Sequence, residues 1–580
     1  MSDGIVSHRF MPGIRSAVAM SFFFAVLFNL LLVNAPAAAS PATAGPSLSV
    51  SQNAGKSLAR IEVAGPITEI GVPIYAHLRD TLGQEYVLTI ASLGELDGLM
   101  RPYQVLDTVA DGTTYIMALE RRQGARRAAA LRFQLLMDDG RQILLRDGVG
   151  IREQLAEMGF EIAPLPSAPL VLEPARLLDG RLLYEPGLAP LAYDPRVAAL
   201  IAQISQDGLY EEIRKLSGKA PMTIGGSTYT ITTRYTETAD LEKANQYVYE
   251  QMQLPNLSVA YQDWQAGSES GKNIIAVLPG KVKPEEIVLV TAHLDDMPKT
   301  PPAPGADDNA SGVSALLAFA RVASQRSFDR TLRFAVFGGE EGGLYGSNAY
   351  AKSVVGQNIV AVYNMDMIAW DSDNDPSLVL HIRPASNPGH AGDKVIADAF
   401  SDVVNSYGFT GLLRPIVVAD GLPYSDHSSF WGQGFSALLA IEDDRDKIGD
   451  FNPYYHTAQD TPEILNKAYL TNYARASAAT VAHLGLISNT SYTITTSASP
   501  ATGGTVTCTP NPVPQGTSST CTAQVGTLYG FGSWGGDCAH ATAATCTLAN
   551  VLADKAVIAN FVDLRPALPS RGGWRAILGY

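Results

Sequence analysis

Five short segments of this chain carry side chains able to hold a divalent cation and to move a proton beside it. In Thr291-Ala292-His293-Leu294-Asp295 an imidazole ends an apolar run, and an acid two residues on can reach the other ring nitrogen and fix its tautomer. In Gly305-Ala306-Asp307-Asp308-Asn309-Ala310-Ser311-Gly312 small residues permit a tight turn, and carboxylates sit where a loop enters a helical pattern. Taken alone, that placement equally describes a helix N-cap. Phe337-Gly338-Gly339-Glu340-Glu341-Gly342-Gly343 sets two acids side by side between glycine pairs, which is costly unless a cation or a proton separates the charges. Tyr363-Asn364-Met365-Asp366-Met367-Ile368 holds a lone acid in an apolar segment, where an unpartnered carboxylate is disfavoured. The fifth, Asn452-Pro453-Tyr454-Tyr455-His456-Thr457-Ala458-Gln459-Asp460-Thr461, contains one of only nine histidines, flanked by hydroxyls and an acid that can orient it. Each segment has a structural alternative; all five in one chain and one order are far more specific than any one.

The elements that must position these groups alternate between strand and helix. Ile287 to Ala292 is a continuous β-branched run, as in a strand buried on both faces, and Val313, Leu316, Leu317 and Ala320 recur at the spacing of a helical core face. Further strand-like runs fall at Leu332 to Phe337, Ile359 to Tyr363, Leu378 to Ile382 and Phe435 to Ile441, with helical patterns at Leu241 to Met252 and His390 to Tyr407. The alternation predicts a mixed, mainly parallel α/β sheet flanked by helices over residues 194–488, with ligands expected outside the carboxyl ends of its strands.

Taken in order, these motifs resemble the co-catalytic dizinc aminopeptidase family, related to glutamate carboxypeptidase: His-x-Asp, Asp-Asn-Ala-Ser-Gly, Glu-Glu-Gly, Asn-x-Asp and Tyr-His-Thr-x-x-Asp-Thr. The resemblance covers about Asp194 to Leu486 and implies two Zn2+ per chain. His293 and Asp366 would hold one, Glu341 and His456 the other, and Asp308 would bridge both across a cis Asp308–Asn309 bond. Two zinc ions about 3.5 to 4 Å apart lower the pKa of a bridging water and polarise a carbonyl. Glu340 would take the proton of that water and deliver it to the leaving amine, Tyr455 would steady the oxyanion, and Asp295 and Asp460 would orient His293 and His456. Ser425-Asp426-His427-Ser428 is similar to a family segment but reads as structural or pocket wall. The reaction implied is removal of N-terminal residues from peptides. The rivals are a carboxypeptidase, needing a basic pocket for which Arg414 and Arg445 are the obvious arginines, and a non-catalytic receptor or adhesin. A glutaminyl cyclase keeps one zinc and suits the full ligand set less well.

The rest of the 580 residues sets the compartment. Arg9 and Arg15, an apolar run from Ala17 to Val33 and Ala37-Ala38-Ala39 read as a secretory signal over residues 1–39, cleaved after Ala39; an uncleaved anchor is the rival. Residues 40–185, ending in a proline-rich stretch, read as an N-terminal α+β accessory or propeptide domain, with strand-like runs at Ile74 to Leu78, Tyr86 to Ile90 and Arg132 to Met137. Residues 491–563, rich in Thr, Ser, Gly and Pro, read as a small all-β module, and residues 564–580 as a tail without an assigned role. All four cysteines lie in that module; Cys508 with Cys521 and Cys538 with Cys546 are close enough to pair, a cysteine zinc site being the rival. Its Gly503-Gly504-Thr505-Val506-Thr507-Cys508 and Trp534-Gly535-Gly536-Asp537-Cys538 resemble the divergent internalin-type B repeats of bacterial secreted proteins, which implies surface or matrix contact. With 42 basic against 57 acidic residues, a net charge of −15 and no basic stripe, nucleic acid is excluded as a partner. No later apolar run reaches spanning length, so a secreted or periplasmic protein acting on peptides, without a membrane span after signal cleavage, is expected.

Overall fold

The computed structural model describes residues 55–109, 112–172, 191–445 and 448–565, so the expected signal sequence and most of the tail lie outside the described residues. At the centre is an eight-stranded mixed sheet: β1 (Ser258–Ala266), β2 (Glu269–Leu278), β3 (Lys283–His293), β4 (Arg330–Phe337), β5 (Ile359–Met365), β6 (Ser377–Ile382), β7 (Arg414–Ala419) and β8 (Ala437–Glu442). Their spatial order is β1-β2-β4-β3-β5-β8-β6-β7, with β4, β3, β5 and β8 mutually parallel. The runs are continuously apolar because helices cover both faces. Val288, Val290 and Ala292 of β3 pack with α2 (Ala310–Ala323) and α5 (Lys467–Leu484). Ile287 and Leu289, pointing the other way, pack with Tyr350 and Val354, in and just beyond α3 (Tyr345–Ser353), and with Phe430. The helix expected at His390 to Tyr407 is α4 (His390–Ser406), and that at Leu241 to Met252 is α1 (Ala239–Gln251).

Residues 55–172 form two four-stranded antiparallel sheets with short helices. One orders Ile74–Arg79, Glu85–Ser92, Lys56–Glu62 and Tyr103–Thr108; the other orders Leu135–Asp138, Gln142–Arg146, Tyr115–Glu120 and Phe160–Pro164. The run Arg132 to Met137, expected as a strand, instead joins the end of a helix, Ala125–Arg132, to the start of strand Leu135–Asp138. At the C-terminus, short strands from Ser491 to Asp563 enclose Trp534, Phe561 and the disulfides Cys508–Cys521 and Cys538–Cys546, leaving no free cysteine.

Candidate metal centre

Four of the five segments leave the central sheet on one side. His293 ends β3, Glu340 and Glu341 follow β4, Asp366 follows β5, and Asp308 lies in the loop that enters α2. Parallel strands deliver their carboxyl ends to one edge, which is why segments far apart in sequence meet there. The helix entry separates two roles that share one motif. Asn309 is the N-cap of α2, accepting from the Gly312 amide at 2.9 Å, so the preceding Asp308 stays available to the cluster across a cis Asp308–Asn309 bond. Gly312 is required by proximity: a Cβ there would lie 2.4 Å from Asn309 Oδ1 and 2.7 Å from the Met365 carbonyl.

All five expected ligands converge, as two triads sharing Asp308. Nε2 of His293 lies 3.1 Å from Asp366 Oδ1 and 3.3 Å from Asp308 Oδ1. Nε2 of His456 lies 2.7 Å from Glu341 Oε2 and 3.4 Å from Asp308 Oδ2. Every one of the five side chains is buried. Among the buried polar atoms without a hydrogen-bond partner are Glu341 Oε1 and His456 Nε2, both aimed at the cluster. Unpaired nitrogen and carboxylate oxygen in that arrangement suit a zinc-like cation and fit poorly as a self-satisfied core.

The electrostatics agree with that reading. Burial alone would depress His456, but Glu341 and Asp308 push it up to about 10. Burial likewise opposes protonation of His293, and Asp366 and Glu340 overcome it, raising its pKa. Burial and the neighbouring Asp308 push Glu341 up to about 8. Glu340 is also raised, by burial against the attraction of His293 and with repulsion from Glu341. For Asp308 burial is outweighed by the two histidines beside it, His293 and His456, which hold it well below the usual range. The crowded acids thus need protons or cations to balance their charge.

The supporting acids act through the backbone. Asp295 reaches His293 chiefly by its main-chain carbonyl, 3.1 Å from Nδ1, its carboxylate being 3.8 Å away. That carboxylate accepts instead from the amides of Glu340 and Glu341, at 3.1 and 3.2 Å, and so fixes the Glu-Glu turn. Asp460, expected to orient His456, does not touch it. Its carboxylate accepts from the amides of Asp307 and Asp308 at 3.0 to 3.1 Å and secures the bridging acid. The reason is the turn at His456, whose φ of 57° directs the ring away; its Nδ1 faces the Ala156 carbonyl at 3.3 Å. Tyr455 stacks on His456 with ring centroids 3.7 Å apart and lines the same small cavity as Asp308, Glu340 and Asp366.

Sequence reasoning treated Ser425 as wall and did not weigh Thr291 or Asn364. Ser425 Oγ donates to Asp366 Oδ2 at 2.7 Å and itself accepts from Asn364, whose amide oxygen accepts from Thr291, so a relay of short polar residues aims Asp366. An isolated Thr or Asn in an apolar strand, or a Ser in a loop, gives no signal of this. His427 stays outside the cluster, bonded to the Leu422 carbonyl at 2.8 Å and edge-on to Trp431.

A buried, acid-rich, histidine-bearing edge of a parallel sheet defines a metal-dependent hydrolase domain. Residues 273–481 match the model of peptidase family M28, and residues 493–564 match that of the divergent InlB B-repeat domain. The central domain is thus similar to peptidase family M28 and of zinc-dependent metallopeptidase type, and the region after it is similar to the divergent B-repeat module. A probable leucine aminopeptidase of Trichophyton verrucosum is 28% identical over 321 residues, 52% of this chain and 78% of that protein. Aminopeptidase YwaD of Bacillus subtilis is 29% identical over 209 residues, 35% of this chain and 42% of that protein. The solved structure of a zinc aminopeptidase from Bacillus subtilis aligns at a TM-score of 0.40 and 18% identity, covering 48% of this chain and 95% of that one.

Proposed function

We propose that the chain is an exported dizinc aminopeptidase that removes N-terminal residues from peptides. The observation that carries this reading is the pair of triads sharing Asp308, with a further acid, Glu340, beside them. His293 and Asp366 would hold one ion, Glu341 and His456 the other, and Asp308 both. When bound, zinc supplies Lewis-acid polarisation of the scissile carbonyl and acidifies water. Glu340, buried and raised in pKa, accepts the proton of the attacking water and returns it to the leaving amine. The Tyr455 hydroxyl donates to the carbonyl oxygen as it gains charge. Surrounding carboxylates favour a substrate's free ammonium group.

The arginines of the carboxypeptidase alternative are occupied: Arg445 pairs with Asp443 at 2.6 Å, and Arg414 with Asp375 and Ser377. Export is supported by the apolar N-terminal run and by two disulfides, which persist in oxidising compartments; among the described residues no helix is long and apolar enough to cross a membrane. The B-repeat-like module would contact a surface or matrix.

The test is hydrolysis of aminoacyl and C-terminally free peptide reporters, before and after limited proteolysis, with chelation and zinc restoration. Aminoacyl turnover that follows zinc and falls about 10²- to 10⁴-fold in Glu340→Gln is expected. Chelator-insensitive cleavage, or an unchanged Glu340→Gln, would overturn the mechanism.

A further inference from the structure

The groups that close the metal centre come from residues 55–172, outside the peptidase domain. Glu161 and Ile162, on the strand Phe160–Pro164, line the same cavity as His293, Asp308, Glu340, Glu341 and Asp366. From the adjacent helix, Ile151–Glu157, the Ala156 carbonyl lies 3.3 Å from Nδ1 of His456. The space left has a volume of about 10 Å³, enough for about one water, against roughly 300 to 1,000 Å³ for pockets that take small ligands. A peptide cannot enter while this strand is in place.

The strand is held by buried charges that cross from one part of the chain to the other. Arg121 donates to the Asp444 carboxylate at 2.7 Å and to its carbonyl at 3.1 Å, and the same guanidinium lies 2.9 Å from Glu161. Arg141 pairs with Asp420 at 2.8 Å, and His381 stands between Asp420 and Asp444, 2.9 Å from each. Arg152 donates to the Gly342 carbonyl at 2.6 Å, in the turn that follows Glu341. Removing one member of such a buried set leaves the others uncompensated, so the contact is an all-or-none latch and not a loose cover.

We propose that residues 55–172 are an inhibitory domain whose Glu161-Ile162 segment occupies the substrate side of the metal centre, and that hydrolysis requires its removal. The proposal rests on the peptidase reading and adds its control: cutting the chain between residues 173 and 190 releases the block, as removal of a pro-segment does elsewhere.

The test places a cleavage site for an added sequence-specific protease within residues 173–190 of the full, zinc-loaded chain. Aminoacyl-reporter turnover and the binding of an amino-acid hydroxamate, followed by calorimetry, are measured before the cut and after separation of the fragment. Both should rise at least tenfold. In the uncut chain Arg121→Ser should raise both several-fold, and after the cut it should have no effect, the residue having left with the fragment. Equal turnover and binding before and after the cut would overturn the proposal. So would loss of both, which would make residues 55–172 a necessary part of the site. Hydroxamate binding that appears on cutting while no reporter is hydrolysed would uphold the block and contradict the peptidase reading instead.

Discussion

At the residue scale, the candidate ligands were legible because their chemistry is conspicuous. A buried histidine or acid at a strand end, a helix entry or a turn is expensive without a purpose, and five of them in order leave few alternatives. Their supports were not legible, since Thr291 and Asn364 look like ordinary strand residues and Ser425 like an ordinary loop residue until the fold brings them behind Asp366. Ser425→Ala should therefore weaken zinc affinity about 10- to 100-fold by leaving Asp366 unaimed, with thermal stability little changed; competition with a fluorescent chelator measures it. The electrostatics of the cluster give a second expectation. With Glu341 pushed up to about 8 and His456 to about 10, the metal-free site carries protons at neutral pH that zinc must displace. Zinc affinity should rise as pH goes from 6 to 8, with net proton release on binding, seen by calorimetry in buffers of different ionisation enthalpy. Proton uptake would contradict the assignment.

At the element scale, the parallel strands were readable because both faces of each are covered, which forces uninterrupted apolar runs. The antiparallel hairpin β1–β2 was missed: along β1 only Trp264 is buried, and the remaining residues are exposed or half-buried as an edge strand allows. Asp460 failed for a related reason. Proximity in sequence suggested a partnership with His456, but the left-handed backbone at His456 sends acid and ring in different directions. The junction of the Asp308 loop with α2 is tightly packed. Gly312→Ala should cost about 1 to 3 kcal/mol in unfolding free energy, because its Cβ collides with Asn309 and the Met365 carbonyl. Turnover should fall more steeply than stability, since the displaced turn carries the bridging acid; denaturant unfolding alongside kinetics separates the two.

At the scale of the whole molecule, composition and cysteine placement separated the terminal regions from the peptidase, but nothing local announced that Glu161 and Ile162 would meet the metal site. That contact depends on how residues 55–172 dock, through arginines whose partners are hundreds of positions away. The central claim, that this chain is built around a two-cation centre, has a direct test in the zinc content of the dialysed full chain, by elemental analysis, compared with that of Asp308→Ala. The account predicts two zinc ions per chain, and at most one in the variant. Fewer than one in the parent, or two retained without the Asp308 carboxylate, would contradict it.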